Sequence, residues 1–233
     1  MKVLLLGKNS KNIEDLVINL GFEIVKSNPD IVISYGGDGT LLTSERMYPK
    51  IPKLPIRDNT ICNKCSDHDE KTLLKNLLED KLKLKEYKKL ETTILYQTFT
   101  ALNDFVIRNA TPIHTIRFRT SLTQKFLIGD GIVISTPFGS TGYFKSITRG
   151  TFERGWGVAF NNTTEKTAPV FLKDEDQVIF ELIRGQATLS FDNNPDVFTI
   201  DEGSELLLKL SDQVAEIYEA DSLRCPDCRI TRG

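Results

Sequence analysis

The chain lacks the excess of basic charge and the long apolar runs that would direct it to nucleic acid or to a membrane. Its 233 residues carry 30 basic and 32 acidic side chains, for a formal net charge of −2. A duplex-binding surface needs a clustered excess of lysine and arginine, so we expect no nucleic-acid partner. No apolar run approaches the ~18 residues that cross a bilayer, and the apolar start at residues 3–6 is too short for a signal-peptide core. We therefore expect a cytoplasmic protein with no membrane partner.

Aromatic and charged residues are present in ordinary amounts, and the composition is that of a folded protein. Hydrophobic residues make up 39% of the chain and charged residues 27%, close to the globular average. Tryptophan occurs once, at Trp156 between two glycines, where core packing is favoured over stacking on a base. The length suits one large domain or two small ones.

The first 90 residues have the pattern of a small α/β domain. Short apolar runs at residues 3–6, 22–25 and 31–35 are typical of buried parallel strands. Between the first two, apolar residues recur at helical spacing before Gly21, which predicts a helix that ends there. Leucines at helical spacing among lysines predict a further amphipathic helix over residues 71–90.

Residues 91–215 have the pattern of a mostly-β domain. Short runs, several of them alternating, are separated by Gly, Asn, Asp or Pro, which predicts strands joined by turns. The predicted strands lie at residues 92–96, 100–108, 115–119, 126–136, 178–183, 187–191 and 205–210.

A glycine-rich loop follows the third predicted strand and precedes a predicted helix. A strand that delivers glycines to a helix N-terminus places bare backbone N–H groups where a phosphate chain can lie. The acid within the loop, Asp38, would repel phosphate unless it meets a metal or a hydroxyl proton, so it is predicted to be a base or a magnesium ligand. The alternative is a tight turn with a helix-capping acid. The predicted phosphate-binding residues are Gly36, Gly37, Gly39 and Thr40.

Two further motifs follow, and the second of them predicts the wall of a pocket for a ribose and a base. An Asn103-Asp104 pair begins one predicted strand, and a long segment over residues 129–143 ends another in a glycine-rich turn. Hydroxyls and an aromatic ring that faced one cavity there would suit a nucleoside. The same residues are also common in ordinary turns and hairpins, and that alternative stays open. From this pattern, the candidates that face the cavity are the hydroxyls of Ser140 and Thr141 and the ring of Tyr143.

With these three motifs in this order, the chain resembles the NAD kinase family, which phosphorylates NAD at the 2′-hydroxyl of the adenosine ribose. The resemblance implies that Asp38 is the catalytic aspartate. It further implies that the dinucleotide is bound by Asn103, Asp104, Asp130, Ser140, Thr141, Tyr143 and Ser146. It also implies ATP with Mg²⁺ as the phosphoryl donor and a homodimer or homotetramer as the assembly. The implied fold is an α/β N-terminal domain at 1–90 and a mostly-β domain at 91–215, with the C-terminal tail at 216–233 packing back on the first domain.

The sequence departs from the family pattern in the segment after the first loop. Residues 54–65 lack the glycines and the phenylalanine that family members carry there, Ile128 stands where an arginine is frequent, and Asp192-Asn193-Asn194 replaces Asp-Gly-Gln. These departures leave two alternatives open. One is a weak or inactive nucleotide-binding regulator, and the other is a kinase of the same superfamily with another nucleoside or a lipid as substrate. The sequence also leaves open whether Arg57 and Lys145 contact phosphate.

Four cysteines fall in two pairs of identical spacing, about 160 residues apart. Two such pairs can supply four thiolates to one tetrahedral zinc ion, which leaves no coordination position for substrate and so implies a structural role. The alternatives are four reduced cysteines or a redox-active pair. The predicted zinc ligands are Cys62, Cys65, Cys225 and Cys228.

Overall fold

The computed structural model describes residues 1–58 and 69–219, which divide into two compact units. Of the described residues, the first unit holds 1–58, 69–87 and 215–219, and the second holds Lys88–Val214. No helix among the described residues is long and apolar enough to cross a membrane.

The first unit is built on a parallel sheet in the order β2-β1-β3-β4. Its strands are short and rich in Val, Ile and Leu, as strands buried on both faces require. After β4, the end of β16 joins the sheet in parallel, with Ile217 opposite Lys53. The elements of this unit are β1 Lys2–Leu6, α1 Glu14–Asn19, β2 Glu23–Ile24, β3 Ile31–Tyr35, α2 Asp38–Met47, β4 Lys53–Ile56 and α3 Glu70–Leu78, with the end of β16 Glu205–Tyr218.

Helices cover both faces of this sheet. On one face, Val17 of α1 and Leu74 of α3 join a core cluster with Ile33 and Leu54. On the other face lies α2, whose side chains meet polar residues of the sheet. The alternation of each strand therefore assigns its residues to the α1/α3 face or to the α2 face.

The helix predicted over residues 71–90 is wrong beyond Leu78. Asp80 adopts the left-handed conformation with φ 52°, and the N–H of Lys81 donates to the carbonyl of Asn76 at 2.8 Å. This is the Schellman arrangement, which ends helices. The chain then continues as the strand β5, from Leu84 to Ile94.

The second unit packs two antiparallel sheets around one core. One sheet has the order β16-β13-β8-β9 with the β5–β6 hairpin on β16, and the other has the order β12-β11-β10-β7-β14-β15. Aromatic and branched residues from both sheets, such as Phe105, Ile132, Phe118 and Phe180, form a single cluster. The elements are β5 Leu84–Ile94, β6 Gln97–Ala101, β7 Asp104–Asn109, β8 Ile116–Thr120, β9 Leu127–Gly129, β10 Gly131–Ser135, α4 Tyr143–Thr148, β11 Trp156–Asn161, β12 Val170–Leu172, β13 Gln177–Arg184, β14 Ala187–Phe191, β15 Phe198–Ile200 and β16 Glu205–Tyr218.

The predicted class, an α/β part followed by a mostly-β part, is confirmed. Two predicted strands are each divided. The run at 126–136 is β9 and β10 with Asp130 between them, and the run at 100–108 is β6 and β7 with a turn at 102–103. Trp156 is fully buried, and its indole N–H donates to the carbonyl of Lys173 at 2.8 Å, as a packing role requires.

Candidate functional site

The glycine loop of the first unit joins β3 to the N-terminus of α2. The N–H of Gly36 donates to the carbonyl of Ile56 at 2.8 Å, and a Cβ at Gly36 would lie 2.3 Å from Thr40 Oγ1, so only glycine fits. Gly37 is the N-cap of α2 and has no side chain with which to cap it. This end of α2 therefore offers backbone N–H groups and the positive end of the helix dipole, which together suit an anion such as phosphate. Gly37, Gly39 and Thr40 lie at this end of α2, and phosphate binding by them stays a prediction.

Asp38 is the first residue of α2, and its side chain is exposed. It stands at the carboxyl edge of the parallel sheet, which is where ligands bind in open α/β sheets. An exposed carboxylate beside a phosphate-binding helix end can accept a proton from a hydroxyl group or contact a hydrated cation. A single carboxylate of this kind fits Mg²⁺ that arrives with its phosphate ligands rather than in a protein cage. No group of three His, Cys, Asp or Glu side chains that could hold a metal ion occurs among the described residues.

Two polar contacts hold α2 against the sheet. The hydroxyls of Ser34 on β3 and Ser44 on α2 lie 2.8 Å apart in the interior, and Ser44 Oγ also lies 2.9 Å from the carbonyl of Thr40. Lys53 on β4 forms an ion pair with Glu45 of α2, in which the Lys53 side chain is 0% and the Glu45 side chain 4% exposed. These contacts fix the position of α2 and so of Asp38 at its start.

Three residues at the same sheet edge were not assigned a role from the sequence. Asn9 follows β1, and its Nδ2 donates to Asp58 Oδ2 at 2.7 Å. Arg57 and Asp58 directly follow β4 and are both buried. The signal that could have found them is position, because each one follows a parallel strand at the edge where the glycine loop lies.

The Asn103-Asp104 pair of the second unit lies in a turn that is held by long-range hydrogen bonds. The carboxylate of Asp192 accepts from the N–H groups of Leu102 at 2.9 Å, Asn103 at 2.7 Å and Asp104 at 3.4 Å. On the opposite side, Thr136 Oγ1 donates to the carbonyl of Leu102 at 2.6 Å. These hydrogen bonds satisfy backbone N–H and carbonyl groups of the turn within the protein, so the position of its backbone is fixed.

The third motif packs directly against this turn. A Cβ at Gly139 would lie 2.2 Å from the carbonyl oxygen of Asn103, so backbone meets backbone there and only glycine fits. The side-chain oxygen Oδ1 of Asn103 is buried and has no hydrogen-bond partner among the described residues. A buried acceptor without a partner costs free energy, which a hydroxyl or amino group of a bound nucleoside would recover.

The other candidate substrate residues differ in their surroundings. Asp130 Oδ2 accepts from Asn162 at 3.1 Å, and the hydroxyl of the half-buried Tyr143 accepts from Asn161 Nδ2 at 3.2 Å. Thr141 and Ser146 are exposed, and Ser146 donates to the carbonyl of Tyr143.

The expectation that the Ser140 hydroxyl faces a cavity is wrong. Ser140 is 1% exposed, and its Oγ donates to the carbonyl of Pro137 at 2.9 Å and also lies 3.2 Å from the carbonyl of Phe152. The reason is that residues 139–141 form a short 3-10 turn, which directs this hydroxyl back to the carbonyl three residues earlier. Ser140 therefore stabilises the turn.

Asp104 and Asp192 form an interacting pair of carboxyl groups. Burial, together with the charge of Asp192, raises the pKa of Asp104 to about 7. Burial also raises the pKa of Asp192, but its three backbone N–H donors oppose that rise. Hydrogen bonds to a carboxylate favour its ionised form, so Asp192 carries the charge of the pair and Asp104 holds the proton.

This pair predicts a pH-dependent stability that asparagine at position 104 should remove. The folded-state pKa of Asp104 lies above its ordinary value of 3.8, so the stability that its proton contributes is complete below pH 3.8 and is lost as the pH rises through 7. We expect Asp104→Asn to have a higher Tm than the unsubstituted protein at pH 8, and the difference to shrink towards pH 5. Thermal unfolding over this pH range measures it, with the exposed Asp196→Asn as the control. A constant difference at every pH would contradict the assignment.

The four cysteines of the predicted zinc site lie outside the described residues, since they fall in residues 59–68 and 220–233. Zinc binding by Cys62, Cys65, Cys225 and Cys228 stays a prediction from their spacing.

Comparison with known proteins identifies relatives for part of the sequence and for almost all of the fold. No protein-family model matches the chain. An NAD kinase of Methanosphaera stadtmanae is 34% identical over 53% of this chain and 48% of its own length. An NAD kinase of Sulfurisphaera tokodaii is 30% identical over 64% of this chain and 63% of its own length. The chain thus spans about half to under two thirds of these relatives.

A solved structure shares the fold over its whole length. An NAD kinase from Archaeoglobus fulgidus in complex with ATP superposes with a TM-score of 0.77 over 99% of both chains, at 18% sequence identity. At that identity the likeness shows a common fold. The sequence relatives, all named NAD kinase, and the common fold together confirm the predicted resemblance to the NAD kinase family.

Proposed function

We propose that the chain is an NAD kinase that transfers a phosphoryl group from ATP to the 2′-hydroxyl of the adenosine ribose of NAD, which forms NADP. The observation that carries this proposal is the exposed Asp38 carboxylate at the N-terminus of α2, beside glycines that offer backbone N–H groups to phosphate. The relatives named NAD kinase support the same reaction.

Phosphoryl transfer depends on position and charge neutralisation rather than on covalent chemistry of the protein. In this proposal, Gly36, Gly37, Gly39 and Thr40 bind the phosphates of ATP, and Asp38 accepts the proton of the attacking hydroxyl. Mg²⁺ that arrives with ATP would supply positive charge to offset the negative charge of the transferred group. The chain would need no carboxylate cage of its own for that ion, because the phosphates supply oxygen ligands.

The acceptor nucleotide is assigned to the second unit. Asn103 and Asp104, held by Asp192 and Thr136, offer a buried amide oxygen and a carboxyl group for hydroxyl or amino groups of the dinucleotide. Asp130, Thr141, Tyr143 and Ser146 are proposed as further contacts. Because this turn is already fixed in the protein, its backbone loses no further conformational entropy when it binds and orients the acceptor.

The direct test is NADP formation by the purified full chain with NAD, ATP and Mg²⁺, with omission of ATP as the control. We expect NADP to accumulate only when all three are present. NAD binding without NADP formation would favour the nucleotide-binding regulator instead. Absence of both binding and turnover would favour another substrate. Homo-oligomer formation and structural zinc remain predictions of the family resemblance and of the cysteine spacing.

A further inference from the structure

Arg57 is a buried cation whose side chain has no ion-pair or hydrogen-bond partner among the described residues. The residue is 5% exposed, and its Nε is fully buried and unsatisfied. A buried charge is costly unless an opposite charge and hydrogen bonds compensate it. In contrast, Lys53, the buried cation four residues earlier, pairs with Glu45.

Strand alternation assigns Arg57 to the face of the sheet that α2 covers. In β4, Leu54 and Ile56 belong to the core cluster on the α1/α3 face, whereas Lys53 meets Glu45 of α2. Successive residues of a strand point to opposite faces, so Pro55 and then Arg57 follow Lys53 onto the α2 face.

Arg57 also lies at the edge of the sheet where α2 begins. The strand β4 runs parallel to β3, with Ile56 opposite Tyr35. Arg57 directly follows Ile56, and Gly36 directly follows Tyr35. The N–H of Gly36 donates to the carbonyl of Ile56, which precedes Arg57 directly. Arg57 is therefore the neighbour of the glycine loop across the sheet, on the face of the helix N-terminus.

We propose that Arg57 binds the phosphate chain of the nucleotide donor at the glycine loop. The proposal rests on the proposed function, to which it adds a residue that determines donor affinity. A guanidinium group presents a planar fork of N–H donors that matches two phosphate oxygens, and it remains charged in the interior. A triphosphate at the N-terminus of α2 would supply the negative charge and the acceptors that the buried Arg57 side chain lacks within the described protein.

The test is Arg57→Gln in the full chain, with ATP and NAD affinities measured by calorimetry. We expect ATP to bind at least tenfold more weakly, because a charge-assisted contact is lost, while NAD affinity stays within about twofold. Arg57→Lys keeps the positive charge but loses the planar fork of N–H donors, so its ATP affinity should lie between those of Arg57→Gln and the unsubstituted protein. The matched control is Arg46→Gln, an exposed arginine in the last turn of α2, and it should bind ATP as the unsubstituted protein does.

The thermal stability of the ligand-free variant separates this role from a structural one. A residue that waits for an anion should leave Tm unchanged or higher when its charge is removed, and the increase of Tm that ATP causes should shrink. A fall in the ligand-free Tm with equal loss of ATP and NAD affinity would overturn the proposal, as would unaltered ATP affinity or failure of both variants to fold. ATP binding without NADP formation would refute only the proposed function, whereas absence of ATP binding in the unsubstituted protein would refute this inference.

Discussion

Asp38→Asn is expected to lower kcat for NADP formation by about 10²–10⁴-fold, the usual contribution of a general base. Asparagine has the size of aspartate but cannot take the proton of the 2′-hydroxyl at neutral pH. The side chain is exposed at the first turn of α2, so its replacement should leave the fold and the dissociation constant of NAD little changed. Steady-state kinetics together with NAD titration measure both quantities.

The matched control is Asp15→Asn, which removes an exposed carboxylate from α1 in the same unit. It should retain the full rate. If Asp38→Asn also retained the full rate, Asp38 would not be the base. A loss of NAD affinity in proportion to the loss of kcat would instead indicate a binding role.

The second large effect is on stability. We expect Lys53→Met to lower the free energy of unfolding by about 3–5 kcal/mol, because it removes the ammonium group that compensates the buried Glu45 carboxylate. The double variant Lys53→Met/Glu45→Leu removes both charges and should recover most of that loss. Urea unfolding at neutral pH measures the three proteins.

An exposed lysine provides the comparison for that series. Lys11 lies in the short turn before α1, and Lys11→Met should change the free energy of unfolding little. Equal stability of Lys53→Met and the unsubstituted protein would show that the pair does not hold α2. Failure of the double variant to recover would show instead that Lys53 has a further structural role.

Local patterns made the glycine loop of the first unit predictable from sequence. The strand at residues 31–35 and the loop that follows it lie within ten consecutive residues, so periodicity and glycine positions are enough to place them. Asn9 was not predicted to lie near that loop, and phosphate contact by Arg57 was left open, since the proximity of both residues depends on the order of parallel strands. Strand order results from packing across the whole sheet and leaves little trace in a short window.

In the second unit, the candidate residues were predictable only as a set of motif residues. Asn103 and Asp104 were identified, but the turn that holds them depends on Asp192, about ninety residues later. The prediction for Ser140 was wrong because the same residue types occur in turns whose hydroxyls face solvent and in turns whose hydroxyls donate to a carbonyl of the turn. The end of α3 was missed because Asp80 gives no signal as clear as glycine when it adopts a positive φ.

The dependence of the Asn103-Asp104 turn on Asp192 limits how this half of the protein could be transplanted. A designer who grafted only the stretch from Asn103 to Tyr143 onto another β-sandwich would leave behind the carboxylate that accepts from the N–H groups of Asn103 and Asp104. The graft would retain both motifs of the second unit, but the Asn103-Asp104 turn would lose the hydrogen bonds that fix its conformation. The smallest portable fragment therefore extends from β6 through β14 and one residue further, to Asp192.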